Sequence, residues 1–318
     1  MLIIGFALIF AWLKQILATQ WPSDRNTNIV KTITYYDTSS PNSNTFIFDI
    51  EYDSSTGDFF YLGSHTSGYF VSRTDTQANE VWVNDFSKNV AKNSLAYSPT
   101  HETLYHTLYR NSVFTLMRIN SIDGSYLTWY ELNTMKLNSR FFSCSLSGDE
   151  SALFCNSISN SNDPMILKFN TSTTDIYSAT VSTSGSPGRN LVAINNAEVF
   201  YHLEDTNYHF VKSTFNYNGA LTEQYHQVMA GPSGENAAVV IVDESEQTIW
   251  HGVANYDIIY FQHNLSDFSL IGSKYATGTR YNTANVFDIS ITANSVFIYS
   301  QTDEGLLIKI NKQASGKI

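Results

Sequence analysis

The chain has 318 residues, of which 15% are charged and 14% aromatic, with 20 Tyr and 20 Phe. Its 29 acidic residues against 18 Lys and Arg leave a formal charge of -11, and no basic run occurs, which excludes a nucleic-acid backbone as partner. The aromatic content suits flat sheets stacked through bulky side chains and argues against a disordered chain.

Residues 2–13 form an apolar stretch without charge, followed by Lys14, a short apolar run at 16–18 and a polar chain from Gln20. Residues 1–20 therefore read as a secretory signal peptide, with an uncleaved anchor helix as the competing reading. No later segment is long enough to cross a membrane, so no span is expected once the leader is removed. The leader places the protein outside the cell or at its surface. Residues 29–36 alternate as a strand that belongs to no complete unit.

In the next stretch, 46–53 alternates apolar and polar, 53–58 makes a polar turn, and 59–63 forms a partner strand; 69–74 and 80–86 supply a third and a fourth. The same unit then recurs. Its hydrophobic second-strand core returns six times, 45 to 50 residues apart, around Phe60, Tyr105, Phe154, Phe200, Trp250 and Phe297. An Asn or Asp closes each third strand in the same phase, at Asp75, Asn120, Asn170, Asn216, Asn264 and Asn311. First strands fall near 93–97, 141–146, 191–194, 237–242 and 286–291. Two markers in phase at this spacing, in strand-rich sequence, are the mark of propeller blades. The expectation is an all-β, six-bladed β-propeller of four-stranded antiparallel blades, one domain over residues 27–318. The sixth unit stops one strand short, and strand 29–36 is expected to complete it and close the ring; donation of that strand to a neighbouring copy is the alternative.

Several third strands end in Lys or Arg, an apolar residue and Asn, as in Met117-Arg118-Ile119-Asn120 and Leu167-Lys168-Phe169-Asn170. This pattern resembles the bacterial-type β-propeller repeats of secreted and surface proteins, most closely between Asp49 and Trp82. Asn-rich and Tyr-rich sequence behind a leader also resembles secreted propellers of protists. The resemblance implies a rigid recognition or scaffolding disc and brings no active residues with it.

Signals of chemistry are sparse. No Gly-x-Ser-x-Gly elbow or phosphate loop occurs, and the eight histidines lack zinc-ligand spacing, so neither metal nor cofactor is expected. His106 and His251 occupy equivalent second-strand positions in blades too far apart to share an ion. Acid pairs such as Glu204-Asp205 and Asp243-Glu244 read as solvated turn residues. Cys144 and Cys155 flank the 147–151 hairpin nearly opposite one another, so a cross-strand disulfide is feasible; two buried thiols are the alternative. Sequons at Asn170 and Asn264 lie at the same point of the repeat and predict glycans on one face.

The opposite face collects the longest loops. Candidate ligand-binding residues there are Tyr275, Arg280, Tyr281, Arg189, Asp205, Tyr208, Tyr256 and Asp257, a set suited to an extracellular protein or glycan. The reading is a non-catalytic secreted binding or scaffolding module. A self-assembling coat or filament subunit is the first alternative, and a propeller-fold lyase or glycosidase the second.

Overall fold

The computed structural model describes residues 46–65, 68–77, 79–87, 94–110, 113–131, 137–159, 161, 163–183, 185–204, 207–216, 219–229, 238–243, 245–255, 257–276, 285–291, 295–301 and 306–312. The described residues form six antiparallel meanders, five of four strands and one of three. The first holds β1 (Phe46–Tyr52), β2 (Phe59–His65), β3 (Gly68–Thr74) and β4 (Glu80–Ser87). The second holds β5 (Ser94–Ser98), β6 (Thr103–Arg110), β7 (Val113–Asn120) and β8 (Tyr126–Glu131). The third holds β9 (Leu137–Leu146), β10 (Ala152–Ser159), β11 (Pro164–Asn170) and β12 (Ile176–Thr180). The fourth holds β13 (Ser186–Ala193), β14 (Glu198–Glu204), β15 (Tyr208–Phe215) and β16 (Leu221–Met229). The fifth holds β17 (Ala238–Asp243), β18 (Thr248–Asn255), β19 (Asp257–Asn264) and β20 (Leu270–Ala276).

The sixth sheet, β21 (Asn285–Ile291), β22 (Ser295–Gln301) and β23 (Leu306–Asn311), has three strands where six uniform four-stranded blades were expected. Strand 29–36, expected to complete it, lies outside the described residues, as does the leader. Two compact units emerge, one holding β1–β8 and the other β10–β23, with the boundary inside β9.

The repeated third-strand cation has a physical role. Arg73 lies opposite Phe60, Arg118 opposite Tyr105, Lys168 opposite Phe154 and Lys212 opposite Phe200, each the directly paired residue across the sheet. Each charge lies over its ring, 5.7 to 5.9 Å from the centroid. A long cationic side chain so placed covers an aromatic ring while its head reaches polar partners, and the ring face attracts the charge. Lys309 opposes Phe297 in the sixth sheet, and the fifth departs by setting Gln262 opposite Trp250.

The Asn that follows shapes the outer hairpin. In three blades the turn is the same: Gly124, Thr174 and Phe268 donate N–H to the carbonyls of Asn120, Asn170 and Asn264 and adopt φ of 75°, 64° and 59°. The Asn120 and Asn170 side chains each accept the N–H two residues on, so a local bond sets the turn before packing does.

Within each unit the sheets bury their faces against one another. In the first unit Phe60, Leu62 and Val71 pack with Leu95, Leu104 and Ile119 of the next blade. In the second, Phe154 and Ile166 pack with Leu191 and Tyr201, and Phe200, Tyr208 and Phe210 pack with Val240 and Ile249. Each such large side chain, removed from water, contributes roughly 1.5–3 kcal/mol. Polar bonds fix the stacking: Asp49 Oδ2 accepts Leu95 N at 2.8 Å, and Ser145 Oγ accepts Ala193 N at 3.2 Å. Cys144 of β9 and Cys155 of β10 are joined by a disulfide.

Candidate functional site

Several of the loop-face candidates occupy strands. Tyr208 opens β15, is 2% exposed, and packs among Phe200, Phe210, Val240 and Ile249, so it is core and not a surface contact. Strand alternation explains this, because Tyr208 shares a face with Phe210. Tyr275 belongs to β20, opposite Ile259, where a loop was expected, because β20 runs on to Ala276. Arg189 belongs to β13, in the irregular stretch between Pro187 and Leu191, and Asp257 opens β19, paired with Asn255 of β18. Arg280, Tyr281, Asp205 and Tyr256 lie outside the described residues. Asn170 and Asn264 end β11 and β19, the equivalent third strands of their blades.

Asp243 also departs from its sequence reading. It is buried, not solvated, and forms an ion pair with Lys312, itself 1% exposed, just after β23. Burial would raise the Asp243 carboxyl, but bonds from Lys312 and Ser245 outweigh it and hold the group below its ordinary range.

The described surface carries apolar side chains on the outer strands of the first unit. Val81 and Val83 on β4, Ile122 in the β7–β8 turn, and Tyr126, Leu127 and Trp129 on β8 are exposed, Trp129 by 60%. The opposite face of β4 is committed to packing. Trp82 donates its indole N–H to Ser121 O at 3.0 Å, Asn84 donates to Gly124 O at 2.6 Å, and Phe86 meets Tyr126 edge-on at 5.9 Å. Arg73 reinforces this joint by pairing with Asp58 at 2.6 Å and donating to Ser121 O at 2.9 Å. The exposed apolar set is thus mounted on a braced surface.

A second group of residues gathers inside the second unit. His202 of β14 lies against His251 of β18, Nε2 to Nδ1 at 3.2 Å, and His263 of β19 is 5.0 Å from His251 between ring centroids. All three are fully buried. Phe210 stacks flat on His251, with centroids 4.3 Å apart and planes 9° apart, and Phe261 stacks on it at 4.9 Å. His263 donates Nδ1–H to Phe268 O at 3.0 Å. His202 Nδ1, His251 Nε2 and His263 Nε2 have no hydrogen-bond partner among the described residues. No group of three such ligands is arranged to hold a metal ion among the described residues. The sequence carried one signal for this meeting: His202 and His251 stand 49 residues apart, one repeat period.

No protein family's sequence profile matches the chain. No curated protein matches it either. Solved structures do. The chain is similar to the WD40 domain of Toxoplasma gondii coronin, with a TM-score of 0.58 at 11% identity over 84% of this chain and 69% of that one. It is similar to the Dos1 propeller, with a TM-score of 0.54 at 11% identity over 84% and 67%. A Bacteroides fragilis protein provisionally named a 6-phosphogluconolactonase gives 0.54 at 14% identity over 83% and 82%. The chain therefore has a β-propeller fold. Among the described residues no helix is long and apolar enough to cross a membrane.

Proposed function

We propose that this propeller is a non-catalytic interaction module, secreted and acting outside the cell, that binds or scaffolds an extracellular protein or glycan. The observation that carries the reading is the exposed apolar side chains Val81, Val83, Ile122, Tyr126, Leu127 and Trp129 on the outer strands and turn of the first unit, with the other face of β4 fixed by packing. Large apolar and aromatic side chains on a rigid surface are the usual anchors of recognition. The leader-like segment and the sequons at Asn170 and Asn264 support the extracellular part of the reading. Loop residues Arg280, Tyr281, Asp205 and Tyr256 would extend the surface on the opposite side from the glycans.

A second reading, self-assembly into a coat or filament, draws on the same exposed strands. Size exclusion with light scattering on the secreted chain separates the two. A monomer that captures extracellular glycans or matrix proteins, and loses them on Trp129→Ser, supports the binding module. Discrete oligomers that Trp129→Ser dissociates support assembly. If Trp129→Ser and Ile122→Ser change neither property, the outer strands have no part in recognition.

A further inference from the structure

The histidine cluster between the fourth and fifth blades is built unlike an ordinary core. Three imidazoles with unanswered ring nitrogens sit among aromatic faces, and each must be neutral to be held there. The shared bond between His202 and His251 needs one donor, so whichever tautomers they adopt, one N–H and one lone pair remain unmet.

Among the described residues, the elements packed around the cluster supply no counter-ion. β14 contributes His202 and β18 His251; β15 contributes Phe210, β19 Phe261 and His263, and β17 places Val240 opposite His251. β16 contributes Tyr225, edge-on to Phe210 at 6.3 Å. The β19–β20 turn contributes the Phe268 carbonyl and the exposed Asp267. The nearest charges on these elements answer other groups. Lys212 lies over Phe268 at 4.7 Å and pairs with Glu198 at 2.5 Å, and Asp267 accepts from Ser269. His209 and His226, on the opposite face of the fourth sheet, bond to each other at 2.8 Å, with Glu223 beside His226.

We propose that His202, His251 and His263 form an acid-sensitive latch between the fourth and fifth blades, closed when neutral and forced open by proton uptake. The added proton creates an N–H with no acceptor among the described residues and a desolvated cation with no counter-ion there, and the neighbouring imidazoles lie 5.0 to 5.2 Å away between ring centroids. Opening the contact between β14 and β18 exposes these nitrogens to water and relieves both. The latch gives the propeller a conformation that differs between neutral and acidic surroundings, and it does not depend on the interaction reading above.

Titration agrees in direction. Burial lowers His202 to about 3, with His263 adding to the effect. Burial, then the two neighbouring histidines, hold His251 well below its ordinary value, and burial lowers His263. The closed form therefore refuses protons that opened imidazoles accept near pH 6.5. The latch is fully held above about pH 6.5 and weakens as pH falls toward the lowered values, up to about tenfold per pH unit for each histidine released.

Amide hydrogen exchange on the full chain at pH 7.5, 6.5 and 5.5, corrected for intrinsic chemistry, tests this. The expected result is an opening constant for β14, β18 and β19 that rises at least about tenfold between pH 6.5 and 5.5, while β10 and β11 of the third blade stay protected. In His251→Phe, which preserves the stack on Phe210, the rise shrinks by several-fold, up to about tenfold, because one titrating ring is gone; His202→Phe is read in the same way if the first variant does not fold. Equal acceleration in all blades, no acceleration, or an unchanged pH dependence in the variant would overturn the proposal. The comparison between blades in the unmodified chain decides the matter even if neither variant folds.

Discussion

Tyr97, in the first strand of the second blade, donates its phenolic proton to Asp53 Oδ2 at 3.0 Å, just beyond the first strand of the first blade. Asp53 also accepts Ser55 N at 2.9 Å, Ser55 Oγ at 2.6 Å and Thr56 Oγ1 at 3.0 Å. Burial would raise this carboxyl, but the four bonds outweigh it and hold the group below its ordinary value; burial and then Asp53 push Tyr97 up to about 12. Tyr97→Phe should cost about 1–2 kcal/mol in urea unfolding at pH 7, since a charge-assisted bond is lost. Because the Asp53 value is depressed, its stabilisation is present above the ordinary carboxylate range and lost as pH falls through the lowered value. The difference between the two proteins should therefore fade as pH falls through the lowered value, below the ordinary carboxylate range.

The outer-hairpin turns predict opposite effects at equivalent positions. Thr174 holds φ of 64° on an exposed turn, a conformation a β-branched side chain resists, so Thr174→Gly should raise stability by about 0.5–1 kcal/mol. At Gly124, φ is 75° and an added Cβ would stand 2.8 Å from Trp82 Cδ2. Gly124→Ala should destabilise by about 1–3 kcal/mol, both from the backbone and from displacement of the indole. Thermal unfolding of the two variants beside the parent reads both signs.

Lys312 and Asp243 form an almost wholly buried ion pair between the fifth and sixth sheets. Removing one partner of such a pair leaves the other charge unanswered, so Lys312→Met should cost about 3–5 kcal/mol at pH 7. Asp243→Asn in the Lys312→Met background should recover part of the loss, as the unpaired charge is then gone. Chemical unfolding of the single and double variants checks this; failure of the second change to help would mean that packing, not charge, set the cost.

His106 gives a pH dependence in the first unit. It is fully buried, with Nδ1 3.3 Å from Ser94 O and Nε2 without a hydrogen-bond partner among the described residues, and burial lowers it to about 4. The folded form keeps this ring neutral while the unfolded chain protonates near 6.5. Its contribution to stability is intact above about pH 6.5 and is lost by up to about 1.4 kcal/mol per unit as pH falls toward 4. His106→Met should flatten that slope between pH 6.5 and 4, measured by urea midpoints against pH.

Reduction of the Cys144–Cys155 disulfide releases a loop with a sequence separation of 11, worth about 2–3 kcal/mol on the chain-entropy account. The third blade should unfold at lower urea in reductant, with thiol labelling of both cysteines appearing in the same transition. Labelling without loss of stability would show that the sheet alone holds the two strands.

The sequence by itself determined the repeat. Strand alternation, the aromatic second-strand position and the Asn-closed hairpin are local, each set within one unit by side-chain period or by an Asx bond, and the strands near 46–53, 59–63, 69–74 and 80–86 stand where those signals put them. The third-strand cation was visible as a pattern, while its seat over a ring became clear only with the strand register. Other features depended on stacking between blades. Tyr208 looked like a loop residue because it follows one, yet alternation along β15 turns it into the core with Phe210. Asp243 looked solvated until Lys312, 69 residues later, was folded against it. The pairing of His202 with His251, and of both with His263, likewise belongs to tertiary structure. Nothing in a neutral imidazole's own neighbours announces a partner one period away, and only the packing of two sheets decides which rings meet.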